Sequence, residues 1–182
     1  MKKVVILASG SGTLARAIFA AEKDYEITAL ICDRPAAKVI EVAKEFGIKV
    51  ELLELTGDRE NWDQQLFSLV AKYQPDLIVS AGFMRILAPQ FVQKFKVINS
   101  HPALLPLFPG AHAVRDALAA GATHTGTTIH WVDEGVDTGE VIVQESLEIE
   151  PTDNEESLHE RIKIIERGLI VATIPQILAE LK

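Results

Sequence analysis

Cysteine is almost absent: Cys32 alone stands in 182 residues, which excludes an intramolecular disulfide and a thiolate metal cluster. Long apolar runs are missing too, since no stretch approaches the roughly eighteen apolar residues that a membrane span needs. Basic residues are in deficit, 18 lysines and arginines against 26 acids, for a formal net charge of −8. Nucleic acid is therefore a poor partner, because neutralising its phosphates takes a basic face. A small anionic ligand stays open where local dipoles oppose that field. The N-terminus has lysines ahead of apolar residues, as a signal peptide has. Its apolar stretch runs only from Val4 to Ala8 and reads instead as a first buried strand. The expected compartment is the cytoplasm.

What is present is ordinary in amount, 48% hydrophobic and 24% charged residues, which suits a soluble globular chain with one full core. Apolar runs of strand length alternate with segments of helical period, predicting an α/β domain with a mainly parallel sheet. Strands are expected at Lys3–Ala8, Ile27–Cys32, Lys49–Leu55, Asp76–Ala81 and Lys96–Asn99. Helices are expected between them at Thr13–Lys23, Ala36–Phe46, Asp58–Tyr73 and Pro89–Phe95. Further on come a helix at Val114–Ala120 and strands at Gly126–Val132 and Glu140–Glu148, the last two forming an antiparallel pair. A long helix, Asn154–Leu181, is expected to break near Ile174-Pro175, since an interior proline removes a hydrogen bond and clashes with the preceding turn. No repeat, low-complexity tract or linker divides residues 1–182.

The densest signal is V-I-N-S-H-P-A-L-L-P-L-F-P-G, residues 97–110. Residues i and i+2 of an extended segment share a side, so Asn99 and His101 can reach one atom together while Ser100 points away. Three prolines stiffen the chain beyond His101. Asp137, in the loop D-E-G-V-D-T-G at 133–139, can hold the imidazole. Taken singly, His101 is as readily a capping or core histidine, and Asp137 a turn residue. Open α/β sheets bind ligands at the carboxyl ends of their strands, and the glycine loop after strand one, the segment 82–87 and Asn99–His101 converge there. Amide, imidazole and carboxylate are equipment for acyl transfer without metal or covalent nucleophile. No histidine, cysteine and carboxylate spacing matches a standard metal site, and no G-x-S-x-G elbow supports serine catalysis. His130 is read as packed or surface-facing, His124 and His159 as loop and helix-surface residues, and His112 as undecided. Trp62 and Trp131 read as core residues.

G-S-G-T-L-A at 10–15 formally satisfies G-x-G-x-x-A, and Asp33 ends strand two where a ribose-binding acid of a dinucleotide site belongs. Arg34 and Pro35 weigh against that version. Three readings stay open: one phosphate held by backbone amides at a helix start, a tight structural turn, or a dinucleotide. Arg85, among apolar neighbours, is either a snorkelling side chain or part of a loop that clasps a flat heterocycle. Arg59 is placed to meet a ligand carboxylate or only solvent.

At these residues the chain resembles the phosphoribosylglycinamide formyltransferases, within the folate formyl-transfer and hydrolase superfamily. The shared motifs are A-S-G-S-G-T, A-G-F-M-R-I-L, I-N-S-H-P-A-L-L-P, H-T-G-T-T-I-H, D-x-G-x-D-T-G and L-H-E-R-I-K, spread over the whole chain. The resemblance implies a single-domain, Rossmann-like formyltransferase fold with antiparallel strands in the C-terminal part. Residues of about 1–100 would form a phosphate-binding half and about 82–182 a folate and catalytic half. It implies 10-formyltetrahydrofolate as co-substrate, glycinamide ribotide as formyl acceptor and no metal. Asn99, His101 and Asp137 would be catalytic. Gly12, Thr13 and Leu14 would hold the ribotide phosphate, with Glu166 near its ribose. Arg59, Met84, Arg85, Ile86, Leu87 and Asn99 would contact the folate. Relatives often carry asparagine where this chain has Leu14, so a side-chain contact to phosphate is expected to be missing. The partners expected are small molecules, not nucleic acid or membrane, and a homodimer is compatible with the sequence. A methionyl-tRNA formyltransferase would be expected to carry a further nucleic-acid-binding domain, and a formyltetrahydrofolate hydrolase an N-terminal regulatory one. Outside formyl transfer, the rivals are an NAD-binding oxidoreductase and a non-catalytic nucleotide-binding module.

Overall fold

Strand β1 (Lys3–Ala8) is apolar on both sides because both sides are covered. Val4, Ile6 and Ala8 face one core with Ile18, Val39 and Ile174, while Val5 and Leu7 face a second with Trp62, Leu66 and Phe91. The computed structural model describes residues 1–22 and 24–181. Helices α1 (Thr13–Ala20), α2 (Val39–Glu45) and α6 (Glu155–Glu180) cover the first face. Helices α3 (Arg59–Ala71) and α4 (Pro89–Lys94) cover the other. Between them lie β2 (Glu26–Cys32), β3 (Val50–Leu52), β4 (Leu77–Ser80), β5 (Val97–His101), β6 (His124–Trp131) and β7 (Val141–Glu148), with α5 (Ala113–Ala119) between β5 and β6.

One sheet of seven strands runs in the order β3-β2-β1-β4-β5-β6-β7. The first five are parallel, and β6 and β7 are antiparallel. The chain leaves β1 toward β2 and returns on the other side at β4, so the crevice at the carboxyl ends of β1 and β4 is a topological switch point. The fold is the expected α/β domain with antiparallel strands at its C-terminal side.

Several expected boundaries move. Helix α1 stops at Ala20, and Lys23, the last residue expected in it, lies outside the described residues. Strand β5 extends to His101, so the histidine belongs to the sheet and not to the loop beyond. The expected break at Pro175 does not occur, for α6 runs unbroken from Glu155 to Glu180. Proline inside a helix costs about 3 kcal/mol. Ile170, Ile174, Ile177 and Leu178 surround it and are at most 5% exposed, and each such burial contributes about 1.5–3 kcal/mol. Packing outweighs the lost hydrogen bond. Asn154 and Ser157 form a reciprocal capping box that fixes where α6 starts.

Candidate active site

The carboxyl ends of β1, β4 and β5 open into a cavity of about 540 Å³, within the size range of small-molecule sites. Its first wall is the turn from β1 into α1. Gly12 has φ +78°, and a Cβ there would sit 2.8 Å from Val39, so the turn excludes any side chain. No side chain caps α1, which leaves its first amides for an anion. Leu14 lines the cavity and, 7% exposed, also packs into the core. Across from this turn, α6 presents His159, Lys163 and Glu166, a spacing that puts all three on one helical face. Burial raises the Glu166 carboxyl above its ordinary range, opposed by the Ser100 hydroxyl and by Lys163 and Arg167. Ser100 Oγ donates to Glu166 at 2.7 Å, on the side of β5 opposite to Asn99 and His101, as strand alternation requires.

The second wall centres on Asp137, which is 13% exposed in its side chain. The 133–139 loop is shaped by the Asp133 carboxylate, which accepts from Gly135 N at 3.0 Å and Thr138 Oγ1 at 2.7 Å. At Gly139 a Cβ would lie 1.7 Å from the Trp131 carbonyl oxygen, so only glycine closes the loop. Asp137 takes a left-handed backbone, φ +54°, a conformation that aspartate tolerates better than most residues. Its Oδ2 accepts from Gly110 N at 2.8 Å and faces His101 Nδ1 at 3.4 Å. Its Oδ1 faces His130 Nε2 at 3.5 Å. The neighbouring His130, foremost, together with the Gly110 amide and His101, holds the Asp137 carboxyl below the usual carboxylate range against the effect of burial.

His101 is 4% exposed. Its Nε2 lies 2.8 Å from the Phe108 carbonyl oxygen. A carbonyl only accepts, so Nε2 carries a proton and Nδ1, the nitrogen toward Asp137, is the site where a proton can come and go. By the same reasoning His130 Nδ1 donates to the Trp131 carbonyl at 2.9 Å. His130 Nε2 then sits 3.3 Å from Asn99 Nδ2. Unprotonated, Nε2 accepts one N–H from Asn99, which orients that amide and leaves its second N–H for the cavity; protonated, it donates to Asp137 Oδ1.

His130 is packed, one of its two expected readings, and not surface-facing. It is buried, and β6 pairs with β5 in a register that sets it directly opposite Asn99. Lys163 and His159 are cavity residues that sequence reasoning misses. The sequence signals for them are their helical spacing with Glu166 and their place in the L-H-E-R-I-K motif.

The third wall, residues 82–87, has no regular structure. Met84 and Ile86 are 61% and 60% exposed, while Leu87 packs into the core. Arg85 is neither free nor snorkelling: its Nε donates to Asp33 Oδ2 at 2.6 Å. That bond engages the acid required by a dinucleotide site, and Asp33 does not line the cavity. Arg59 is likewise outside the lining; it bonds Asp63 at 2.8 Å and braces the Ile86 carbonyl. Among the described residues, no group of three or more His, Cys, Asp or Glu side chains is arranged to hold a metal ion. Among them, too, no helix is long and apolar enough to cross a membrane.

A family model described as formyl transferase matches residues 2–174. A phosphoribosylglycinamide formyltransferase of Mycobacterium tuberculosis is 46% identical over 179 residues, covering 94% of this chain and 83% of that protein. One from Bacillus subtilis is 38% identical over 98% of this chain and 95% of its own length. The crystal structure of a phosphoribosylglycinamide formyltransferase from Bacillus halodurans superposes with a TM-score of 0.93 at 39% identity, covering 100% of this chain and 97% of that one.

Proposed function

The chain belongs to the formyl transferase family, and from that premise we propose that it moves a formyl group from 10-formyltetrahydrofolate to the amine of 5′-phosphoribosylglycinamide in purine synthesis. One observation carries the reading. A single cavity joins a helix start faced by Lys163 to an irregular apolar loop, with Asn99, His101 and Asp137 between them. The ribotide phosphate would sit on the amides of Gly12, Thr13 and Leu14 with Lys163 opposite, and Glu166 would take its ribose hydroxyls. The folate would lie along Met84–Leu87. Residues 1–100 supply the phosphate loop and 82–182 the folate and catalytic groups, with α6 lending Lys163 and Glu166 to the phosphate side. The cytoplasm is the compartment this activity suits.

The neutral amine attacks the formyl carbon, forming a C–N bond while the carbonyl becomes an oxyanion. The second N–H of Asn99 and a proton on His101 Nδ1 stabilise that oxygen; losing one such donor typically costs about 10²–10³ in rate. Asp137, ionised and 3.4 Å from Nδ1, orients the imidazole. His101 gives its Nδ1 proton to the folate N10 and takes the one the amine sheds, and the oxyanion re-forms the carbonyl as the C–N10 bond breaks, giving formylglycinamide ribotide and tetrahydrofolate. His130 acts through Asn99 by fixing its amide.

Purified protein with both substrates should turn over, followed by the absorbance change as the folate loses its formyl group. Formate release that does not need ribotide would replace this reading with hydrolysis. NADH binding without folate binding would replace it with a dinucleotide site.

A further inference from the structure

The segment 82–87 has neither helix nor strand to hold it, yet four of its residues are tied to neighbouring elements. Gly82 O accepts from Ser9 N at 3.1 Å. Met84 N donates to Ser9 Oγ at 2.9 Å. Arg85 reaches Asp33 at 2.6 Å, and Arg59 reaches the Ile86 carbonyl. Ser9 follows β1 and Asp33 follows β2, so the two rigid strands beside the switch point hold the loop from below.

The Asp33–Arg85 pair is an odd device if stability is its purpose. The Asp33 side chain is 1% exposed, and among the described residues its Oδ1 has no hydrogen-bond partner. Burying a carboxylate with one oxygen unserved is costly, and an apolar pair of similar size often does as well. What the pair does provide is geometry. Arg85 is drawn down to β2, which turns its flanking residues Met84 and Ile86 outward, and these are among the most exposed large apolar side chains of the protein. A loop already set in its bound shape loses less freedom when it closes on a ligand.

We infer that Asp33 is a positioning residue for the folate: it engages the Arg85 side chain, so that the 82–87 loop meets the folate through its backbone and through Met84 and Ile86. The inference rests on the folate reading above, and it reassigns the Arg85 side chain from ligand contact to tie. Asp33 does not line the cavity, and the side chain it engages belongs to the 82–87 loop, so its loss should fall on the folate.

The test is steady-state kinetics of Asp33→Asn with both substrates varied. The KM for 10-formyltetrahydrofolate should rise roughly tenfold, with kcat and the ribotide KM held within about twofold. Amide protons of the loop should exchange faster. The double variant Asp33→Asn/Arg85→Gln should be no worse than the poorer single one. Ser9→Ala removes a tie without uncovering a charge, and should show the same split at roughly threefold. An unchanged folate KM in Asp33→Asn overturns the inference. So does equal weakening of both substrates, the mark of a merely structural role, and so does additivity with Arg85→Gln, the mark of a direct Arg85 contact. If the wild-type protein itself fails to use 10-formyltetrahydrofolate, it is the functional reading beneath that falls.

Discussion

On the side of the cavity proposed for the phosphate the groups come from regular elements: a β1-to-α1 turn closed by Gly12 and one face of α6. On the folate side they come from irregular chain, residues 82–87 and 133–139, fixed by side-chain ties to Ser9, Asp33, Arg59 and Asp133. The first side is positioned by backbone hydrogen bonding, which any helix or sheet supplies. The second depends on particular carboxylates and hydroxyls. The end of β5 lies between, and its alternation sends Asn99 and His101 to one side and Ser100 to the other.

The largest effect should come from the junction of the two sides. Asp137→Asn should cut kcat by about 10²–10⁴ while leaving both binding constants nearly intact, as measured by calorimetric titration and single-turnover kinetics. Unchanged turnover would remove Asp137 from the mechanism. Next comes His130→Ala, which frees the Asn99 amide without touching a substrate. A misplacement of about 1 Å can cost ~10²-fold, and His130→Gln should recover part of it, because its side-chain oxygen still accepts an N–H. A loss equal in both variants would mean that hydrogen bonding to Asn99 is not what His130 contributes.

The third effect should separate the sides. Lys163→Met should weaken ribotide binding by roughly ten- to a hundredfold, the range of a charge-assisted hydrogen bond, and leave folate binding alone. Weakening of folate binding as well would break the division between the two sides. The smallest effect is on stability. Burial raises the Glu166 carboxyl, so the folded state holds a proton that the unfolded chain has already released. Stability therefore falls as pH rises from the ordinary glutamate range toward the raised folded value. Glu166→Gln should flatten that part of a urea-denaturation series while it weakens ribotide binding. A slope identical to the parent's would show that Glu166 is not its source.

The phosphate side is the more legible in sequence. Glycines, a helix start and an apolar strand before them are local features, and Gly12 sits where they place it. Strands β1 and β4 are readable because burial on both faces leaves continuous apolar runs. Pro175 misleads because its rule is local, whereas the packing of Ile170, Ile174 and Leu178 that holds α6 together is not. His130 escapes because its meaning depends on the register of β6 against β5, and nothing near it in the chain announces Asn99 as its neighbour. Arg59 and Arg85 are legible as unusual residues beside the folate segment. The partners that tie them to the loop, the Ile86 carbonyl for Arg59 and Asp33 for Arg85, lie 27 and 52 residues away.

The segment between Pro102 and Gly110 lends two backbone groups to the centre of the site, the Phe108 carbonyl to His101 and the Gly110 amide to Asp137. It does so with no helix or strand of its own, and it carries Pro102, Pro106 and Pro109. Each proline in a compatible conformation narrows the unfolded ensemble, by about 0.4–1 kcal/mol. Much of the disorder that folding must remove from this segment is therefore missing from the chain before it folds. The tautomer of His101 is in this sense fixed by entropy: the carbonyl that selects it hangs on a stretch of chain with few other shapes to adopt.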